Sequence, residues 1–143
     1  MKIAIGCDHA AFIEKQKILE FLKELGHIVI DLGTHNSESV NYPKYGHNVA
    51  KMVVQNEVDK GIVICGSGIG ISIAANKIKG ARAALCTSIE HAEMSRKHND
   101  SNILALGTRM TDYSLIEKII SNWLKTEFEG GRHLDRINLI EIT

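Results

Sequence analysis

Short apolar runs alternate along the chain with longer segments whose apolar positions recur every three or four residues. The runs are Lys2–Gly6 (KIAIG), His27–Leu32 (HIVIDL), Gly61–Cys65 (GIVIC), Ala81–Cys86 (ARAALC) and Asn102–Leu106 (NILAL). Runs of this length and make-up predict strands buried on both faces. Between the first two, Phe12–Leu25 carries Phe12, Ile13, Ile18, Leu19, Phe21, Leu22 and Leu25 at helical spacing. Gly26 stands where a helix-ending glycine belongs. Gly33–Asn41 is polar and turn-like, and Pro43 suits the first turn of a helix running to about Gln55. Ile71–Ile78 and Ile89–Lys97 predict two shorter helices. Tyr113–Phe128 predicts a long one, with Ile116, Ile119, Ile120, Trp123 and Leu124 on its apolar side. Gly130 and Gly131 break it, and a short helix or tail follows.

Strands that alternate with helices imply a parallel sheet covered on both sides. The expected fold class is therefore α/β: a three-layer, Rossmann-like α/β/α arrangement with a five-stranded parallel sheet. No repeat or linker divides the chain, so residues 1–143 read as one domain. Such sheets bind ligands beyond the carboxyl ends of their strands, at a topological switch point. That rule selects Cys7–His9, Gly33–Tyr42, Cys65–Gly70, Cys86–Ser88 and Gly107–Arg109 for inspection.

Composition narrows the chemistry. Apolar residues make up 44% of 143, enough for a packed core. Lys+Arg and Asp+Glu number 17 each, so no basic field suggests nucleic acid. An anion site must then be built from a few placed groups. Cys7, Cys65 and Cys86 show no CxxC spacing, which argues against structural zinc and a disulfide framework and suits a reducing cytoplasm. The opening MKIAIGCDH is too short for a signal peptide, and no run approaches the roughly 18 apolar residues of a membrane span.

The segment ICGSGIGIS carries Gly66, Gly68 and Gly70 directly after the third strand. A dinucleotide fingerprint requires GxGxxG after the first strand and an acid about 20 residues later. Here the spacing is GxGxG and Ile71 breaks the pattern, so a nicotinamide site is disfavoured. The loop still offers backbone N–H groups at a helix N-terminus, a setting that stabilises a phosphate or an oxyanion formed during reaction. Cys65 sits on its leading edge. A helix N-terminus lowers a thiol's pKa and makes a thiolate base or nucleophile available. A buried, merely packed cysteine is the competing reading.

Other polar clusters admit two readings each. Asp8 and His9 suit a helix cap and a surface histidine, or contacts to a sugar hydroxyl and a phosphate. His98 and Asn99 suit a helix C-terminus, or an acid–base group with its neighbour. Arg132 and Arg136 share one helical face, as a solvated basic face or as a phosphate clamp. The two glycines before them would let this segment reach a partner subunit. His27, His35, His47 and His91 read as surface residues, Cys7 and Cys86 as core, and Met52, Met94 and Met110 as packing.

Taken together, IGCDHAAF (5–12), DLGT (31–34), YP (42–43), ICGSGIGISIAANK (64–77), KHND (97–100) and EGGRHLDRI (129–137) resemble the ribose-5-phosphate isomerase B family, over nearly the whole chain. The resemblance implies a cofactor-free aldose–ketose isomerase acting through an enediolate, with neither metal nor nucleotide. Cys65 would be the base that shuttles the proton. A second branch of the family places a glutamate where Ile71 stands, which assigns this chain to the cysteine branch. Ser67 takes a position often held by threonine. With the N–H groups of Gly66, Gly68 and Gly70 it would hold the enediolate oxygen. His98, with Asp8, would open the furanose ring. Tyr42 and Asn99 would contact sugar hydroxyls, and His9, Arg109, Arg132 and Arg136 the phosphate. The family forms homodimers or homotetramers whose sites draw on two subunits, so His98 and Asn99 would face the Cys65 of another chain. The expected small-molecule partner is a sugar phosphate, with ribose 5-phosphate favoured and allose 6-phosphate the alternative. Two other classes compete: a dinucleotide-dependent oxidoreductase, and a phosphate-sensing flavodoxin-like module, which would place a phosphorylatable aspartate where Cys65 stands.

Overall fold

A computed structural model describes residues 1–142 of the chain. Five parallel strands form one sheet: β1 (Lys2–Cys7), β2 (Ile28–Asp31), β3 (Lys60–Cys65), β4 (Ala83–Leu85) and β5 (Ile103–Gly107), in the order β2-β1-β3-β5-β4. The helices are α1 (Phe12–Glu24), α2 (Tyr42–Val54), α3 (Ile69–Asn76), α4 (Ile89–Asn99), α5 (Tyr113–Lys125) and α6 (Arg132–Asn138), and a 3-10 turn spans His9–Ala11.

The strands alternate their side chains between two separate cores. Ile3, Ile5, Cys7, Ile62, Ile64, Leu104 and Leu106 pack against Ile18, Leu19 and Leu22 of α1, Ala92 of α4, and Ile116, Ile119, Ile120 and Trp123 of α5. Ala4, Val63, Cys65, Ile103 and Ala105 point the other way, onto Val49, Ala50 and Val53 of α2 and Ile71 and Ala75 of α3. Residues apolar at every position thus make three layers, and Cys65 belongs to the α2–α3 side.

Several boundaries move from their expected places. Helix α1 closes where Gly26 adopts φ +89 and the N–H groups of Gly26 and His27 donate to Lys23 O and Leu22 O. Helix α3 starts two residues early, at Ile69, because Gly68 takes the left-handed conformation before it. Strand β4 keeps only Ala83–Leu85 of the expected Ala81–Cys86. Helix α5 ends at Lys125 instead of Phe128: Thr126 turns to extended backbone and its carbonyl accepts from Arg96 Nε at 3.1 Å. Met110 is 69% exposed and Met94 37%, so neither is a packing residue. No helix among the described residues is long and apolar enough to cross a membrane.

Candidate active site

Leaving β1, the chain goes outward to β2 and then returns to the other side of β1 to form β3. The sheet's switch point therefore lies between the carboxyl ends of β1 and β3. After Cys7, Asp8 caps the 3-10 turn by accepting the Ala10 N–H on Oδ1 at 3.0 Å. After Cys65, Gly66–Ser67–Gly68 turns into α3. Gly68 has φ +78, and an added Cβ would meet Leu85 Cδ1 at 2.6 Å and the Leu106 backbone at 2.8 Å. That conformation directs the Gly68 N–H onto Cys65 Sγ at 3.1 Å, while the Ile69 N–H donates to Ser67 Oγ at 3.1 Å.

Strand β5, not β4, flanks β3, with Gly107 opposite Cys65. Its exit wraps the glycine loop: Thr108 N–H donates to Cys65 O at 3.1 Å and Arg109 N–H to Gly66 O at 2.9 Å. The Arg109 side chain lies across Gly66. On the far side, Tyr42 at the start of α2 rests on Gly70, where a Cβ would stand 2.6 Å from the ring. Together Asp8, His9, Tyr42, Cys65, Gly66, Ser67, Gly70 and Arg109 line one open cleft of about 620 Å³, joined by Ala10, Ile69 and the exposed Met110. Gly68 lies behind it, buried. Cys86–Ser88, at another strand's carboxyl end, follow edge strand β4 and stay out of the cleft.

His9 Nδ1 accepts the Val40 N–H at 3.1 Å. An accepting Nδ1 places the proton of the neutral ring on Nε2, leaving that nitrogen as the donor. The other two thiols are silent by burial: Cys7 is pushed up to about 12 and Cys86 to about 11. All three cysteines are free.

His98, Asn99 and Arg136 gather elsewhere. With His133, Ile137 and Ile140 they line a second hollow of about 360 Å³, which shares no residue with the cleft. Buried Arg96 shapes the end of α4 here, donating to Asp100 Oδ1 at 2.7 Å and Ser101 O at 2.6 Å. The strand-like tail after α5 then runs back along α4, and Glu129 N–H donates to Lys97 O at 3.1 Å. This brings His133 onto His98, ring centres 4.4 Å apart and 16° from parallel. Glu129 Oε1 stands 3.5 Å from His98 Nε2 and 3.7 Å from His133 Nε2. The three ligand atoms lie within 4.8 Å of one another. In-plane lone pairs of stacked rings, however, do not converge on a point 2 Å from both, so the cluster is an electrostatic grouping and not a preformed metal cage. Partial burial, His98 and Arg132 hold His133 below the usual histidine range, so it is neutral at pH 7.

The arginines divide by partner. Arg82 and Arg96 both pair with Asp100. Arg109, Arg132 and Arg136 form no ion pair among the described residues. Unpaired guanidinium groups at the cleft and on α6 remain available to an anion.

The profile of the Ribose/Galactose Isomerase family matches residues 3–140. The chain belongs to this family. It is 50% identical over 139 residues to Ribose-5-phosphate isomerase B of Escherichia coli K12, covering 97% of this chain and 93% of that one. A structure of Clostridium thermocellum Ribose-5-Phosphate Isomerase B superposes with a TM-score of 0.97 at 56% identity, covering 98% of this chain and 95% of the other. A Mycoplasma genitalium Ribose-5-phosphate Isomerase B with bound ribulose-5-phosphate superposes at 0.94 with 41% identity, covering 97% and 93%. The protein is an isomerase with a Rossmann-like α/β fold.

Some residues of this isomerase escape a reading of the sequence. Lys15 is fully buried although it is charged. Its position, three or four before Ile18 and Leu19 on the same stripe, was the available signal. Arg96, Glu129 and His133 also went unassigned. His133 lies within the RHLDR segment, but only the folded tail places it on His98.

Proposed function

We propose that this isomerase interconverts ribose 5-phosphate and ribulose 5-phosphate through an enediolate, with Cys65 as the base. The observation that carries the reading is the placement of Cys65 Sγ, held by the Gly68 N–H, in a cleft shared with Asp8, His9, Tyr42, Ser67 and Arg109. The relatives named as ribose-5-phosphate isomerases supply the substrate class.

In the proposed reaction the Cys65 thiolate removes the proton from C2 of the open-chain aldose. The C2–H electron pair forms the C1–C2 double bond, and the carbonyl pair moves to O1 as an oxyanion. Ser67 and the N–H groups of Gly66 and Gly70 stabilise that charge, the Gly68 N–H being engaged by Cys65 Sγ; one such donor is worth about 3 kcal/mol of barrier. Cys65 returns the proton to C1 while the O2 proton passes to O1, giving the ketose with atoms and electrons balanced. His98 and Asp8 open the furanose ring. Asp8 Oδ1 is engaged by Ala10 N–H, so the carboxylate is held in place at the cleft. Tyr42 and Asn99 contact sugar hydroxyls. His9, through Nε2, and Arg109, Arg132 and Arg136 bind the phosphate.

His98, Asn99 and Arg136 line a hollow that shares no residue with the Cys65 cleft, which supports a site built from two chains. In this reading a second copy brings His98, Asn99, Arg132 and Arg136 to the Cys65 cleft, as a homodimer or within a homotetramer. The three free cysteines suit a cytoplasmic setting.

The test is turnover across a panel of pentose and hexose phosphates, without added metal or nucleotide. Ribose 5-phosphate is expected to give the highest kcat/KM. A higher value for allose 6-phosphate or another hexose phosphate would reassign the substrate. Cys65→Ala is expected to lose at least about 1,000-fold in kcat with an unchanged circular dichroism spectrum; retained turnover would remove Cys65 as the base.

A further inference from the structure

Helix α1 buries four side chains, Lys15, Ile18, Leu19 and Leu22. Three are apolar and one is a lysine with no exposure at all. Its ammonium donates to Asp31 Oδ1 at 2.6 Å and to Thr34 O at 2.5 Å. Desolvating an ion pair costs about as much as the pair returns, and an apolar pair of similar volume is often as stable. Core stability alone therefore does not account for Lys15.

What Lys15 grips is the segment leaving β2. Asp31 Oδ1 also accepts the Gly33 N–H at 2.9 Å. Cys7 N–H donates to Gly33 O at 2.8 Å and Thr34 N–H to Cys7 O at 2.9 Å. Residues 31–34 are thereby clamped beside the last residue of β1, immediately before Asp8 and His9. Beyond Thr34 the segment has no regular structure until α2 begins. Within it, Val40 N–H makes the bond to His9 Nδ1, and Tyr42 follows two residues later. Lys15 itself does not line the cleft.

We infer that Lys15 is a positioning residue for the phosphate side of the active site: it anchors the 31–40 segment whose Val40 N–H sets the orientation and tautomer of His9. The inference rests on the reading of His9 as a phosphate contact. It makes a prediction that a purely stabilising role does not. Lys15→Met removes the two bonds from Lys15 to Asp31 and Thr34 and loosens the segment, and Lys15→Met combined with Asp31→Leu replaces the ion pair by apolar groups without restoring the anchor.

The variants are compared by KM and kcat for ribose 5-phosphate, by melting temperature, and by the two-bond ¹H–¹⁵N spectrum of labelled histidine, with His9 identified through His9→Asn. Lys15→Met is expected to raise KM about tenfold with kcat within about threefold, and to turn the single His9 tautomer into a mixture. The double variant should regain melting temperature while KM stays high. Val40→Pro removes the N–H at a half-buried loop position and should reproduce both effects with Lys15 intact. Recovery of KM together with melting temperature in the double variant would overturn the inference, as would an unchanged His9 tautomer in Val40→Pro. The spectrum does not depend on turnover, so an inactive wild-type protein would sink the proposed reaction while the anchoring is still decided by the His9 signals.

Discussion

Burial pushes the Cys7 thiol up to about 12 and the Cys86 thiol up to about 11, with Lys15 and a backbone bond at Thr34 only partly opposing the effect at Cys7. Cys65 sits at the cleft instead. Thiol chemistry should therefore separate the three. Iodoacetamide at pH 8 is expected to modify Cys65 in the native protein and to reach Cys7 and Cys86 only after unfolding, as mapped by peptide mass spectrometry. Fast native labelling of Cys7 would contradict its placement. The raised values also fix a sign. The unfolded thiol titrates near 9 and the folded Cys7 near 12, so above pH 9 the folded state holds the extra proton. Stability from Cys7 is complete below pH 9 and is lost as pH rises toward 12. Melting temperature should fall over that window, and less steeply in Cys7→Ala. These residue-scale features were partly visible beforehand: Cys65 stood out by its glycine neighbours, and Cys7 and Cys86 lay in or beside apolar runs. The burial of Lys15 was not visible, because only the packed α1 face shows that its ammonium reaches Asp31 and Thr34.

Among the elements, the turn from β3 into α3 is the most tightly specified. Gly107 of β5 lies against it, and an added Cβ there would collide with the Ser67 backbone carbonyl. Backbone cannot swing aside, so Gly107→Ala is expected to cost about 3 kcal/mol in urea unfolding and to displace the loop that serves Cys65. Gly70→Ala meets only the far end of the Tyr42 ring, which is 40% exposed and free to move. That variant should stay within about 1 kcal/mol of wild-type stability, yet raise KM as Tyr42 leaves the cleft. Equal losses in the two variants would refute the distinction. At this scale periodicity did well. Each expected strand and the five main expected helices are present, since apolar spacing is set by local geometry. Element ends fared worse. Gly68 starts α3 early through a left-handed turn, and Arg96 ends α5 early by taking the Thr126 carbonyl. One is a loop conformation and the other a contact 30 residues away in sequence, and periodicity encodes neither.

At the scale of the whole molecule, apolar side chains stand exposed on α6 with its tail and on α3. Leu134, Leu139, Ile140 and Ile142 are between 49% and 95% exposed along α6 and the tail, and Ile69 and Ile73 are 52% and 55% exposed on α3 beside the cleft. Exposed apolar groups next to both halves of the proposed site suit a subunit interface. A complementation experiment tests the proposed sharing of the site between subunits. Cys65→Ala and His98→Ala should each be inactive. In mixed dimers, one site carries both substitutions and the other carries neither. Statistical mixing after unfolding and refolding together is therefore expected to restore about one quarter of wild-type activity. Recovery of no activity would place Cys65 and His98 in the same subunit's site.

The order of apolar and polar residues determined, by itself, a three-layer α/β fold and the strand ends worth inspecting. Those properties follow from local periodicity and from the chain direction of a parallel sheet. The motifs at those ends were enough to indicate the family. Tertiary structure decided which ends meet. Because β5 and not β4 lies beside β3, Arg109 stands over the glycine loop while Cys86 is carried out to the edge. Because the chain after α5 doubles back along α4, His133 stacks on His98 and away from the Cys65 cleft. Strand order and chain reversal depend on contacts between residues far apart in sequence. No local spacing records them.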